Sequence, residues 1–251
     1  SVVKDEGIAK SVFEILSSCV KYGQIKKFYE IVKQYKDYLT SDDLSFFAKE
    51  IFTTFYDDEN LYPTTLRIAS SAFSNSGTGK DLELLQILYP RYFYDLIKDS
   101  CTEYNLDEFI LLGLIRTESY FDKDVFSAAG ASGLTQLMNS TASDIARKLR
   151  VKEFDLLDAK TNITFGSFYL NELTRRLDGS VLKAIISYNT GITRVRRWAT
   201  QFANVPQDIW IEMFPYEESR EYGKKVLANA FVYGLLYYNK TSYEIVDMFM
   251  K

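Results

Sequence analysis

The chain has 251 residues, 47% of them hydrophobic, with 30 basic against 34 acidic side chains and a net charge of -4. It is long enough for one large domain or two modest ones and apolar enough to bury a core, which excludes a disordered chain, while the acidic balance argues against generic nucleic-acid binding. Histidine is absent, which excludes Ser-His-Asp and Cys-His catalysis and most zinc sites.

Helical periodicity runs through the chain and predicts an all-α fold. Ile8, Val12, Ile15, Leu16 and Cys19 share one face. After a stop at Tyr22-Gly23, so do Ile25, Phe28, Tyr29, Val32 and Tyr35. Ser41 reads as the N-cap of a third helix carrying Leu44, Phe47, Ala48, Ile51, Phe52 and Phe55, and Pro63 as the first turn of a fourth. Short helices with short connections predict a bundle-like or α-solenoid region over residues 1–80. Residues 74–79, small, polar and glycine-rich, read as a linker. A short helix over 81–88 then opens a second domain, 81–251. Cys19, on an apolar face, reads as a buried inert thiol. With Cys101 it forms one disulfide or none.

The second domain opens with a helix over 92–104, and Asn105 with Glu108 resembles a capping box for the next. That next helix, 106–118, is apolar nearly all round from Phe109 to Ile115. Such a helix is central and buried, and the apolar run is far too short to span a bilayer. Glu118 falls in its last turn. Burial and the negative end of the helix dipole both disfavour the ionised carboxylate, which is what a general acid needs. The competing reading is an exposed glutamate paired with Arg116 or Lys123.

Gly130-Ala131-Ser132-Gly133 reads as a tight turn. A helix starting near Gly133 would place Gln136 and Met138 at its exposed edge, although Met138 taken alone reads as core filler. Thr141 with Asp144 reads as the N-cap of the helix carrying Ala142, Ile145, Ala146 and Leu149. An amphipathic helix follows over 162–177. A buried helix from 184 then stops in a turn at Asn189 and Gly191, with Tyr188 as a polar handle at its end. The basic cluster Arg194, Arg196 and Arg197 reads as a solvated face, or as a contact for an anionic substrate group. The surplus of tyrosine, 19 residues, suits a sugar-binding cleft.

Taken in order, these pieces resemble the soluble lytic transglycosylases of bacterial cell walls, in the clan of goose-type lysozyme, over roughly residues 89–238. Glu118-Ser119 with Phe121 is similar to the family's Glu-Ser-x-Phe, and residues 127–138 to its Ser-x-x-Gly-Ala-x-Gly-Leu-Met-Gln-Leu-Met. Asp158, Asn162-Ile163 and Gly166 resemble Asp-Pro-x-x-Asn-Ile-x-x-Gly. Ser187-Tyr188-Asn189-Thr190-Gly191 resembles Ala-Tyr-Asn-Ala-Gly, with Arg194 to Trp198 like the arginine-tryptophan stretch after it. Pro215 to Tyr222 resembles Pro-Phe-x-Glu-Thr-Arg-x-Tyr. Each motif is modest, and the order is the specific part. Thr135 stands for a methionine, Asn139 and Ala159 for prolines, and Ser187 and Thr190 for alanines; none of these removes a proton-transfer group.

The resemblance implies a lysozyme-like helical catalytic domain that needs no metal and no cofactor. It implies cleavage of the β-1,4 bond between N-acetylmuramic acid and N-acetylglucosamine, leaving a 1,6-anhydromuramoyl end. Ordinary glycosidases use two carboxylates; here the substrate's acetamido carbonyl replaces the second, and Glu118 acts first as acid, then as base on the C6 hydroxyl. By position, Ser127 contacts the acetamido group or orients Glu118. Gln136, Met138, Asn189 and Glu218 line the sugar subsites, and Tyr188 supports the transition state. Glu218 reads equally as an ion pair with Arg220 or Lys224 on one helix face. The implied partners are glycan strands of peptidoglycan in the periplasm or cell envelope, with no nucleic acid and no transmembrane segment. The N-terminal helices embrace the strands or recruit another protein. A hydrolase on the same fold and a non-catalytic wall-binding or scaffolding protein are the alternatives.

Overall fold

A computed structural model of the chain describes residues 5–76 and 82–250. The first helix, α1, runs over Glu6–Lys21 with Asp5 as its N-cap, the carboxylate accepting from the N–H groups of Gly7 and Ile8. Gly23, at φ +68°, turns the chain into α2, Ile25–Tyr35. Helix α3, Ser41–Thr54, begins one residue earlier than the sequence reading, because the cap is Thr40 rather than Ser41. Thr40 accepts from the Asp43 N–H at 3.1 Å while the Asp43 carboxylate accepts from the Thr40 N–H at 2.8 Å, a reciprocal capping box. Helix α4, Tyr62–Ser76, carries Pro63 in its first turn. The expected linker over 74–79 overlaps the end of α4, and its residues 77–79 lie outside the described residues.

Helix α5, Leu82–Leu88, packs on α3 and α4, and Leu84, Ile87 and Leu88 are buried in the same core as Leu16, Phe28, Phe47 and Ile51. The chain accordingly divides into two units, Ser1–Pro90 and Arg91–Lys251. The division at residue 80 read from composition would assign α5 to the second unit; its apolar face is buried in the first.

The second unit contains α6 (Tyr94–Tyr104), α7 (Glu108–Ser119), a two-stranded antiparallel ribbon of β1 (Ala131–Ser132) and β2 (Leu137–Met138), α8 (Asn139–Leu149), α9 (Ala159–Arg176), α10 (Val181–Thr190), α11 (Ile192–Gln201), α12 (Gln207–Met213), α13 (Glu217–Tyr237) and α14 (Ser242–Met250). Two sequence expectations fail here for backbone reasons. Asn105 does not cap α7: it adopts the left-handed conformation (φ 50°, ψ 54°) and closes α6, its N–H bonding to the Cys101 carbonyl, a conformation asparagine tolerates. No helix starts at Gly133 either. Gly133 and Gln136 both have positive φ, +74° and +49°, so the chain turns between two short strands and α8 begins at Asn139, two residues ahead of Thr141.

Helix α7 forms the centre of this unit, with every residue from Phe109 to Arg116 buried. It runs antiparallel to α13. Tyr238, which closes α13, donates to Glu108 Oε2 at 2.7 Å near the start of α7, Phe109 lies by Gly234, and Arg116 reaches Asn229. Between them Gly113 faces the backbone of Ala230, where a Cβ would meet Ala230 N at 2.6 Å. The missing side chain is what lets the two helix axes approach so closely. Cys19 and Cys101, one in each unit, are buried free thiols, and burial pushes the Cys101 thiol up to about 12. Among the described residues no helix is long and apolar enough to cross a membrane.

Candidate active site

The close α7–α13 packing carries a single carboxylate into an apolar setting. Glu118 lies in the last turn of α7, and Tyr222 of α13 donates its hydroxyl to Glu118 Oε1 at 2.5 Å. Burial raises the carboxyl from 4.5 to about 7; the Tyr222 hydrogen bond and the Lys225 ammonium oppose that rise without cancelling it. Glu118 therefore exchanges a proton near neutral pH, the range in which one group can serve as both acid and base.

Where the sequence reading weighed a pairing with Arg116, the groups acting on the Glu118 carboxyl are Tyr222 and Lys225. Arg116 is buried, its Nη1 donating to Asn229 Oδ1 of α13 at 3.1 Å, and Asn229 Nδ2 in turn donates to Thr117 Oγ1 at 2.9 Å. Directly after Glu118 and Ser119 the chain reverses through two non-glycine residues in the left-handed region, Tyr120 at φ +52° and Phe121 at φ +60°. Each costs on the order of 1 kcal/mol or more. Complete burial of Phe121 against Tyr92, ring edge to ring face at 5.6 Å, offsets that cost.

Opposite Glu118 stands Tyr188, in the last turn of α10. Its hydroxyl donates to the Thr135 carbonyl at 3.0 Å and its ring packs on Tyr169 of α9 at 5.1 Å. Burial first, and then the neighbouring Glu118 carboxylate, hold both the Tyr188 and the Tyr222 phenols well above the usual tyrosine range. Both hydroxyls therefore stay protonated, as hydrogen-bond donors must.

The turn that receives Tyr188 is clamped from α9. Asn162 Oδ1 accepts from the Thr135 N–H and hydroxyl, both at 2.7 Å, while its Nδ2 donates to the carbonyls of Leu156 at 2.8 Å and Ser132 at 3.0 Å. Gly133 has no space for a Cβ, which would run into the Leu156 carbonyl and the Asn162 amide. Gly166 is likewise filled against Thr135. The left-handed turn at Gly133 thus follows from a side chain some thirty residues away, and this clamp fixes the carbonyl that orients Tyr188.

The remaining sequence candidates have bonds or exposure of their own. Ser127 is exposed, and its Oγ accepts from the Ala131 N–H at 2.9 Å, closing its own loop rather than orienting Glu118. Gln136 Nε2 donates to the carbonyls of Gly133 at 2.8 Å and Val125 at 3.1 Å, tying the ribbon to the loop before it. Met138, at the end of β2, is 42% exposed and so is not core filler. Asn189 and Glu218 are exposed at the end of α10 and the start of α13. The ion pair considered for Glu218 is absent among the described residues: Lys224 pairs with Glu212 at 2.8 Å and Arg220 with Glu221 at 3.5 Å. Tyr222 is the site residue that sequence reasoning passed over. It stands at the end of the Pro215–Tyr222 motif, and its partner is 104 residues away.

The profile of the transglycosylase SLT domain matches residues 95–211, from α6 into α12 and short of α13. Over 155 residues the chain is 30% identical to the soluble lytic murein transglycosylase of Escherichia coli K12, covering 60% of this chain and 24% of that protein. It is 31% identical over 117 residues to the membrane-bound lytic murein transglycosylase C of Yersinia pestis, covering 42% of this chain and 33% of that one. The chain thus spans a quarter to a third of the length of these relatives. The lytic transglycosylase Slt of Pseudomonas aeruginosa, solved as an inactive mutant, superposes with a TM-score of 0.72 at 23% identity over 90% of this chain and 37% of its own. The 70-kDa soluble lytic transglycosylase of Escherichia coli superposes with a TM-score of 0.68 at 20% identity over 88% and 37%. The two structures share this fold.

Proposed function

Given that residues 95–211 match the model of the transglycosylase SLT domain, we propose that the chain is a lytic transglycosylase of peptidoglycan. It cleaves the β-1,4 bond between N-acetylmuramic acid and N-acetylglucosamine and closes a 1,6-anhydro ring on the muramoyl side. The observation that carries this reading is Glu118, one buried carboxyl with its proton equilibrium moved to about 7.

Glu118 protonates the glycosidic oxygen as the bond to the anomeric carbon breaks. The substrate's 2-acetamido carbonyl stabilises the positive charge developing at that carbon. The carboxylate left behind then takes the proton of the C6 hydroxyl, whose oxygen closes onto the anomeric carbon. No water enters, and Glu118 ends as it began, protonated. Tyr222 anchors the carboxyl and stabilises its anionic interval, a charge-assisted bond with a short donor–acceptor distance. Tyr188 holds the opposite wall and, aimed by the Thr135 carbonyl, supports the acetamido group. Ser127, Gln136, Met138, Asn189 and Glu218 line the subsites on either side. The reaction takes place in the periplasm or cell envelope, where the glycan strands are.

The test is mass spectrometry of soluble products from purified sacculi. The unmutated chain is expected to release anhydro-muropeptides and Glu118→Gln none. Products heavier by one water would assign the chain to hydrolysis, and equal turnover by Glu118→Gln would remove Glu118 from the mechanism.

A further inference from the structure

The cluster Arg194, Arg196 and Arg197 on α11 is not used by the reaction. In a chain of net charge -4, three exposed arginines within four positions call for an explanation. Two of them are accounted for by the fold alone. Arg196 donates to the Arg176 carbonyl at 3.0 Å, neutralising the negative end of α9, and Arg197 extends from the solvent-facing side of α11.

Arg194 is placed differently. Its Nη1 donates to Thr190 Oγ1 at 3.3 Å, and its guanidinium lies 5.2 Å from the centre of the Tyr216 ring. Thr190 is the last residue of α10, two beyond Tyr188. Tyr216 is the N-cap of α13, six residues before Tyr222, about 9 Å along the helix axis. The two elements that supply the tyrosines facing Glu118 therefore converge on this one guanidinium. Because α13 runs antiparallel to α7, its N-terminal end extends past the end of α7 where Glu118 sits, so Arg194 marks the continuation of the site. Glu212 is committed to Lys224, and Glu221 to Arg220 and Lys224, while Glu217 and Glu218, the two residues after Tyr216, are exposed. Among the described residues no carboxylate lies within ion-pair distance of Arg194. A guanidinium pre-oriented by a hydroxyl and an aromatic face, with its donor fork open, suits a planar oxyanion.

We infer that Arg194 is a specificity-determining residue that binds a carboxylate of the acidic peptide carried by the muramic acid residues, so that the site distinguishes peptide-bearing from peptide-free glycan. This rests on the peptidoglycan reading above. The contact is made outside the bond-breaking residues, so it sets which strands bind rather than how the bond breaks.

Two glycan preparations test it: strands with their peptides, and the same strands stripped by an amidase. Titration calorimetry on the chain bearing Glu118→Gln measures binding without turnover. Peptide-bearing strands are expected to bind more tightly. Adding Arg194→Ala should weaken them about ten-fold, as loss of one charge-assisted contact would, while leaving stripped strands unchanged. Arg194→Lys should fall between the two. The peptide-dependent difference should shrink as salt is raised. Equal weakening of both strands, no weakening of either, or no binding of either strand by the parent would overturn the inference. Failure of the transglycosylase reading has a separate signature: no anhydro products from the unmutated chain on either preparation, with the binding contrast intact. Arg194 is exposed, and unchanged tryptophan fluorescence would confirm that its variants fold.

Discussion

Glu118→Gln bears on stability as well as turnover. In the folded chain the Glu118 carboxyl keeps its proton up to about pH 7, whereas in the unfolded chain it loses it near 4.5. Between those values the folded state binds more protons, so the free energy of unfolding falls as pH rises through that window. The rise from 4.5 to about 7, at about 1.4 kcal/mol per unit, amounts to about 3 kcal/mol lost between roughly pH 4.5 and 8. Glutamine keeps the shape and does not titrate. The difference in unfolding free energy, variant minus parent, should therefore grow by about 3 kcal/mol across that range, on top of a constant offset from the altered bond to Tyr222. Urea unfolding followed by tryptophan fluorescence is suited to the measurement, because both tryptophans, Trp198 and Trp210, lie in the unit that contains Glu118. With no histidine in the chain, few other groups titrate in this window. Asp107, whose carboxyl burial also raises, is common to both proteins and cancels in the difference. A difference that stays constant from pH 5 to 8 would refute the buried-carboxyl account.

Tyr222→Phe removes the hydrogen bond that favours the anionic form, so the Glu118 proton should be held to still higher pH; a basic limb of the pH–rate profile displaced upward by about one unit is the expected result, and an unmoved limb would show that the bond contributes nothing in solution. Ser187 stands where the motif it resembles has an alanine, and its Oγ is buried with no hydrogen-bond partner among the described residues. Ser187→Ala should accordingly stabilise the second unit by about 1 kcal/mol in the same urea assay, since it removes an unsatisfied buried hydroxyl.

Most of the helices, and the burial of α7, were legible in the sequence because both depend on periodicity and on an uninterrupted apolar surface. Glu118 could be singled out for the same reason: a carboxylate directly after such a run is unusual wherever the helix is placed. Turn chemistry was legible only where local geometry decided it. Gly23 and Pro63 behave as their residue types dictate, whereas Asn105, equally able to cap a helix or to adopt a left-handed C-cap, took the second role once α6 and α7 were packed. Composition likewise marked the glycine-rich stretch as the break, and could not tell that the apolar face of α5 finds its partners on the side before it.

The sequence by itself determined an all-α chain, a central buried helix and the single acid at its end, each of which is a property of residues near one another along the chain. The tertiary structure alone decided what surrounds that acid. Tyr222 reaches Glu118 across 104 residues because Gly113 lets α13 lie against α7. Asn162 makes a tight turn out of a segment that reads as the start of a helix, and so aims Tyr188 through the Thr135 carbonyl. Hydrogen bonds and desolvation act between groups brought together by packing, and the proton affinity of Glu118 is the sum of those contacts rather than a property of its own segment.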